Sequence, residues 1–243
     1  MIHAHNVFGH IPSPRQFAAA IARLLRPDGV AVIEVPYVKD LIDGLQFDTI
    51  YHEHFSYFSL TALEPIWASA GLMLADVERI DIHGGSVRLF VLPAGRGVAS
   101  ARVAALLAEE ARWGARDPAF CNGFARSVTE LGAELRNLLT SLKRQGKRIA
   151  GYGASAKGTM LLNHFRIGRD MIDFVADRAP AKQGRRIPGT QIPILPPQAI
   201  MEQKPDYLLL LVRNIADEVL AQQHEYRKAG GRIIVPLPSI EIL

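Results

Sequence analysis

The stretch RIAGYGASAKG, residues 148–158, constrains the fold more than any other part of the chain. Arg148 to Tyr152 reads as an apolar strand. Gly151-x-Gly153-x-x-Ala156 then turns the backbone, and a helix follows from Lys157 to about Phe165. Ile172 to Ala176 is the next strand, ending in Asp177. Tyr207 to Val212, a helix from about Ile215 to Ala229, and Arg232 to Val235 continue the alternation. Strands that alternate with helices imply a parallel sheet covered on its faces, so the chain is expected to be α/β.

The glycine turn has two readings. Small residues allow a close backbone approach to a phosphate, and the helix N-terminus offers free N–H groups and partial positive charge. Gly153 and Ser155 would line such a site, Lys157 would add a full charge, and Asp177 could hold a ribose hydroxyl. A nicotinamide cofactor fits that pattern. The other reading is a tight strand-to-helix turn that binds nothing.

The first half is less regular. Ile2 to Asn6 reads as the tail of a strand entering a loop, with no preceding element to pair with. Ser13-Pro14-Arg15-Gln16 is a helix start, with Phe17, Ile21, Leu24 and Leu25 at helical spacing. Val30 to Val35 is a strand buried on both faces. A long aromatic and acidic loop is expected from Tyr37 to Tyr57, and loops of that length tend to be functional. Ser59 or Thr61 caps a helix that ends at Gly71. Leu72–Ile80 and Ser86–Leu92 are strand-like, with His83-Gly84-Gly85 between them. From about Gly97 to Gln145 the pattern is helical, broken at Asp117-Pro118, and reads as a connector between two α/β units.

Composition narrows the partners. The 243 residues carry a net charge of +4, and the basic runs are short. This suits a small anionic ligand better than a nucleic acid. Cys121 stands alone, which excludes a disulfide framework and a paired-cysteine zinc set and fits a reducing cytoplasm. The longest apolar run is too short to span a bilayer, so no membrane partner is expected.

The chemistry concentrates in Tyr51-His52-Glu53-His54. On an extended segment His52 and His54 would face one side and could offer two metal ligands, although no third is in sight. The group could also be a polar loop that satisfies its own backbone. The third reading is proton transfer. An imidazole titrates near neutrality, a carboxylate can orient hydroxyls, and a tyrosine can donate to a developing oxyanion. His10 and His83 lie on other loops of the same unit.

The motifs NVFGHIP, LLRPDGVAVIEVPY, FDTIYHEHFSYFS, HGGSVR, GYGASAKG, DRAPAKQGRRIPGTQIPI and AGGRIIVPLP follow one another in an order that resembles the sugar C-methyltransferase family. The chain is similar to the C-terminal portion of such proteins. The resemblance implies a partial class I methyltransferase-like sheet in residues 1–93, a helical connector in 94–146 and a Rossmann-like parallel α/β domain in 147–243. It implies S-adenosylmethionine as cofactor and a nucleotide-linked deoxysugar with a ketone as substrate. His54 would match the general base, Glu53 and Tyr51 would hold the sugar and the enolate oxygen, and His10 would assist. Asn6, Tyr57 and His83 would be further substrate contacts, and Gly153, Ser155, Lys157 and Asp177 would lie near the sugar nucleotide. No metal is expected.

The family's cysteine-rich zinc domain and the glycine-rich loop of its cofactor half have no counterpart in the sequence. Val30–Val35 is therefore expected to have an unpaired edge. The chain is expected to be an incomplete reading of a longer gene, or to work with a partner chain, and to bind S-adenosylmethionine weakly by itself. Two other functions stay open, an NAD(P)-dependent oxidoreductase and a non-catalytic nucleotide-binding module.

Overall fold

A computed structural model describes residues 1–212 and 215–243, and the fold is α/β. The chain divides into two compact units. The first holds Met1–Gln46 and Tyr51–Phe124, and the second holds Phe47–Ile50 and Ala125–Leu243.

The first unit is built on a four-stranded sheet. Its strands are β1 (Ile2–His5), β2 (Ala31–Pro36), β3 (Leu72–Ile80) and β4 (Ser86–Pro93), in the order β1-β2-β4-β3. The expected open edge at Val30–Val35 is not there. β2 pairs in parallel with β1, from Ile2 opposite Ala31 to His5 opposite Glu34, and antiparallel with β4. Ile2–His5, read as a strand tail without a partner, finds its partner across the helix α1 (Pro14–Leu24), so among the described residues the edges of this sheet are β1 and β3. Alternation along β2 sends Ala31, Ile33 and Val35 into a core shared with Ile21 of α1, with Leu63 and Trp67 of α3 (Leu60–Ser69), and with Val103 and Leu106 of α4 (Ala101–Trp113).

The opposite face of the sheet is polar and cross-linked. Buried Glu34 receives the His5 Nδ1 at 2.7 Å and the Arg88 Nε at 2.6 Å. All three sit at adjacent register positions of β1, β2 and β4. Burial acts to raise the Glu34 carboxyl, but the bonds from His5 and Arg88 outweigh it and hold it below its usual value. Asp76 of β3 accepts from the Arg102 guanidinium, from Ser100 Oγ and from the Val77 N–H, and these hold it well below its ordinary 3.8. A carboxyl depressed by folding stabilises the native state above its unfolded value and loses that contribution as pH falls. Thermal unfolding of the chain is therefore expected to shift to lower temperature as pH drops through 3.8. Asp76→Asn should shrink that shift, and an acid profile identical to the parent's would refute the assignment.

The loop after β2 is more structured than expected. Tyr37–Tyr57 contains the short helix α2 (Val38–Asp43) and a 3-10 turn at Phe47–Thr49. Phe47 belongs to the second unit, where its ring lies 5.1 Å from His164 and 4.7 Å from Phe165. Such short elements are held by tertiary contacts, which periodicity cannot register.

The second unit carries a six-stranded sheet of β5 (Ile149–Tyr152), β6 (Val175–Ala176), β7 (Ile194–Leu195), β8 (Tyr207–Leu210), β9 (Arg232–Val235) and β10 (Glu241–Ile242). The order is β10-β9-β8-β5-β6-β7, with β10 antiparallel to β9 and every other pairing parallel. α6 (Ala156–His164), α7 (Gln198–Gln203), α8 (Ala216–Gln222) and α9 (His224–Lys228) link these strands. The segment read as a connector serves both units. α4 packs into the first core, and α5 (Ala119–Arg144) from Ala125 onward belongs to the second. There Leu135 and Leu139 are fully buried, and Gly132 leaves room for the Phe165 ring. Among the described residues no helix is long and apolar enough to cross a membrane.

Candidate active site

The site is built on two loops of the first unit. The first follows β1. Asn6 adopts the left-handed conformation (φ 54°), its N–H donates to the Glu34 carbonyl, and the chain winds into a 3-10 turn at Phe8–His10. The second runs from Tyr51 to Phe58. The Gly9 carbonyl fastens one loop to the other by accepting the N–H of Phe55 at 2.9 Å and of Ser56 at 3.2 Å. Beneath them Phe8 and Phe58 stack at 4.7 Å, and Trp67 lies 5.3 Å from Phe8. The site thus rests on the aromatic part of the core.

Tyr51–His54 is a turn, closed by the His54 N–H donating to the Tyr51 carbonyl at 2.9 Å. An extended segment would have put His52 and His54 on one side; the turn sends them apart. The His52 side chain is 89% exposed and Glu53 is 61% exposed beside it. His54 is half-buried among rings: Tyr51 at 4.3 Å, His10 edge-on at 4.8 Å and Tyr57 edge-on at 6.2 Å. The two-histidine metal arrangement therefore does not form. Among the described residues no group of three or more His, Cys, Asp or Glu is placed to hold a metal ion.

The structure brings Tyr51, His54, Tyr57 and His10 together. Burial raises the Tyr57 hydroxyl above its usual pKa, against a lowering backbone hydrogen bond from Tyr51, so it stays a protonated donor at neutral pH. Glu53 stands at the rim of the group. Asn6 lies at the end of β1, and its buried Oδ1 has no hydrogen-bond partner. His83 sits elsewhere, on an exposed turn with φ 56°. That turn is anchored by Gln46 Nε2 donating to the Gly84 carbonyl at 2.5 Å and by the Tyr37 N–H donating to Gly85. A Cβ on Gly84 or Gly85 would run into Gln46 or Asp40.

In the second unit the glycine turn lies where the sequence places it, with Ser155 capping α6 by accepting the Gly158 N–H at 2.9 Å. Asp177, however, is turned inward. It is 8% exposed, its Oδ2 accepts the Ala154 N–H at 2.7 Å, and its Oδ1 accepts Ala179 at 2.8 Å. Lys182 joins the same knot by donating to the Ala154 carbonyl at 2.8 Å. The carboxylate that suggested a ribose contact thus secures the turn itself. The glycines also answer to packing, since a Cβ on Gly153 (φ 92°) would overlap Val212 and one on Gly158 would press on Leu211. Asp177→Ala should lower stability by about 2 kcal/mol through two orphaned N–H groups. An unchanged unfolding midpoint in urea would show that those bonds are dispensable.

Sequence reasoning missed Glu110. It is fully buried and joins Tyr37 to the start of α3. The signal was there: Val103, Leu106 and Glu110 follow one another on the core face of α4, which sets a carboxylate where an apolar residue is expected.

Residues 81–238 match the family model described as the C-methyltransferase C-terminal domain, and residues 1–77 match one described as a methyltransferase domain. The C-methyltransferase NovU of Streptomyces niveus is 39% identical over 244 residues, an alignment that covers 100% of this chain and 58% of NovU. The chain therefore spans little more than half the length of that relative. The first unit holds the His54–His10 pair, the second is built on a mostly parallel sheet, and with matches along almost its whole length the chain belongs to the C-methyltransferase family defined by that C-terminal domain.

Proposed function

We propose that the chain carries the proton-abstracting part of an S-adenosylmethionine-dependent C-methyltransferase whose substrate is a nucleotide-linked sugar bearing a ketone. The observation that carries this reading is the placement of His54. Its ring is half-buried against Tyr51 and His10 on a loop fastened to the Gly9 carbonyl. A base held in that way can take a proton from the carbon beside a ketone. The electron pair of the broken C–H bond moves to the carbonyl oxygen, and the proton moves to the imidazole. The neutral Tyr57 hydroxyl, with Tyr51 beside it, supplies donors for the enolate oxygen. Glu53, exposed at the rim, would orient sugar hydroxyls, and His10 packs edge-on against the base and would assist it.

S-adenosylmethionine, when bound, supplies a methyl carbon made electrophilic by its sulfonium. Asn6 fits part of such a molecule, because its buried Oδ1 is an acceptor without a partner at the end of β1. Ser155 and Lys157, at the start of α6, are candidates for a phosphate bound by the second unit itself. The nicotinamide reading loses its support with Asp177, whose oxygens are engaged by the turn.

The test is solvent exchange. The chain, incubated in deuterium oxide with a nucleotide-linked keto-deoxysugar, is expected to place deuterium on the carbon next to the ketone, read by proton NMR. A substrate that is bound but keeps its protons at the background rate would overturn the proposal.

A further inference from the structure

We infer that Glu110 is a positioning residue for the His54 loop: one buried carboxylate clamps the point where that loop leaves β2 and the point where it enters α3. The inference rests on the proposed role of His54. The segment from Tyr37 to Ser59 begins and ends at neighbouring places, because Tyr37 bridges Phe58 and the Val38 N–H donates to the Phe58 carbonyl at 3.0 Å. Glu110 approaches from α4. Its Oε1 accepts the Tyr37 hydroxyl at 3.0 Å and the Leu60 N–H at 2.6 Å. Its Oε2 accepts the Thr61 N–H at 2.7 Å and the Thr61 hydroxyl at 2.5 Å.

Both oxygens are thus saturated, with partners 73 and 50 residues away along the chain. With Ser59 Oγ accepting the Ala62 N–H, the clamp completes the first turn of α3. A carboxylate at a helix N-terminus is favoured by the backbone dipole as well as by its bonds. Burial, and then the adjacent Glu110 charge, push the Tyr37 hydroxyl far above its usual value, so it is a permanent donor. The Arg79 guanidinium lies over the Tyr37 ring at 5.3 Å and holds the other side of that residue. From this fixed base the chain runs back only from Phe58 to His54, and a catalytic ring displaced by about 1 Å can lose as much as 100-fold in rate.

A residue that merely stabilised the fold would change the melting temperature and leave the turnover of the folded enzyme alone. Two readouts separate the cases in Glu110→Gln and in Tyr37→Phe, which deletes one hydroxyl and carries the test alone should the first variant not fold. The first readout is kcat against KM for deuterium incorporation into the keto-sugar. The second is amide hydrogen exchange at residues 54–56, whose N–H groups are bonded to Tyr51 and Gly9. The expected result is a fall in kcat of about 10-fold or more with KM unchanged, together with faster amide exchange at 54–56 and unaltered exchange in β2 and β4. Wild-type kcat in a folded variant, or unchanged protection of the loop, would overturn the proposal. A parent chain with no deuterium incorporation at all counts against the base assignment only, and the amide exchange then decides whether Glu110 holds the loop.

Discussion

Replacing His54 with alanine is expected to reduce deuterium incorporation beside the ketone by about 10²–10⁴-fold, the contribution a positioned base makes to a proton transfer. The fold should survive. The ring is half-buried, and the loop it belongs to is held by backbone bonds from Phe55 and Ser56 to Gly9 that the substitution leaves intact. Substrate affinity should change little, because the imidazole acts on the transition state more than on the bound sugar. The kinetic signature is therefore a loss in kcat with KM nearly constant. His52→Ala is the matched control, since that side chain is 89% exposed, and it should retain parental exchange. Equal losses in both variants would mean that the loop works as a unit and that no single imidazole is the base. Retention of exchange in His54→Ala would remove the residue from the mechanism.

The other large effect is on stability. Glu110→Ala is expected to cost about 3 kcal/mol, because it strands the buried Tyr37 hydroxyl and Leu60 N–H and the half-buried Thr61 N–H, at about 1–3 kcal/mol per buried group. The first turn of α3 would lose two of the acceptors for its N–H groups, and Leu60, Leu63 and Trp67, which that helix drives into the core, depend on its start. Chemical denaturation followed by tryptophan fluorescence reads the change through Trp67 of α3 and Trp113 at the end of α4. The conservative Glu110→Gln keeps one acceptor oxygen and should fall between the parent and the alanine variant. A loss of under 1 kcal/mol in Glu110→Ala would show that water or a shifted side chain takes over the orphaned donors.

Several elements were legible in the sequence because one physical rule governed each. β3 and β4 occupy Leu72–Ile80 and Ser86–Pro93, almost where apolar runs and an intervening His-Gly-Gly turn put them. α4 and α5 break at Asp117-Pro118, where proline cannot continue a helix. Ser13-Pro14 opens α1 at Pro14. Other features obeyed two rules at once. Val30–Val35 was correctly read as buried on both faces, yet its neighbours in the sheet depended on whether Ile2–His5 could reach it. Asp177 was found at its strand end, but an acidic residue there serves equally to bind a ribose or to tie a turn. Only the distance to the Ala154 N–H separates the two roles.

By itself the sequence determined the class of the fold and the order of its elements, and it singled out Tyr51–His54 as the candidate for the chemistry. Those follow from local periodicity, turn residues and the titration range of side chains, all of which act over a few neighbouring positions. Tertiary structure decided which histidine of the loop turns toward His10 and which turns to water. It also set β1 beside β2 as one of the two outer strands of the first sheet, and a glutamate in α4 to fasten the loop. Each of those outcomes depends on groups tens of residues apart meeting within about 3 Å, the reach of a hydrogen bond, and a linear pattern does not encode that meeting.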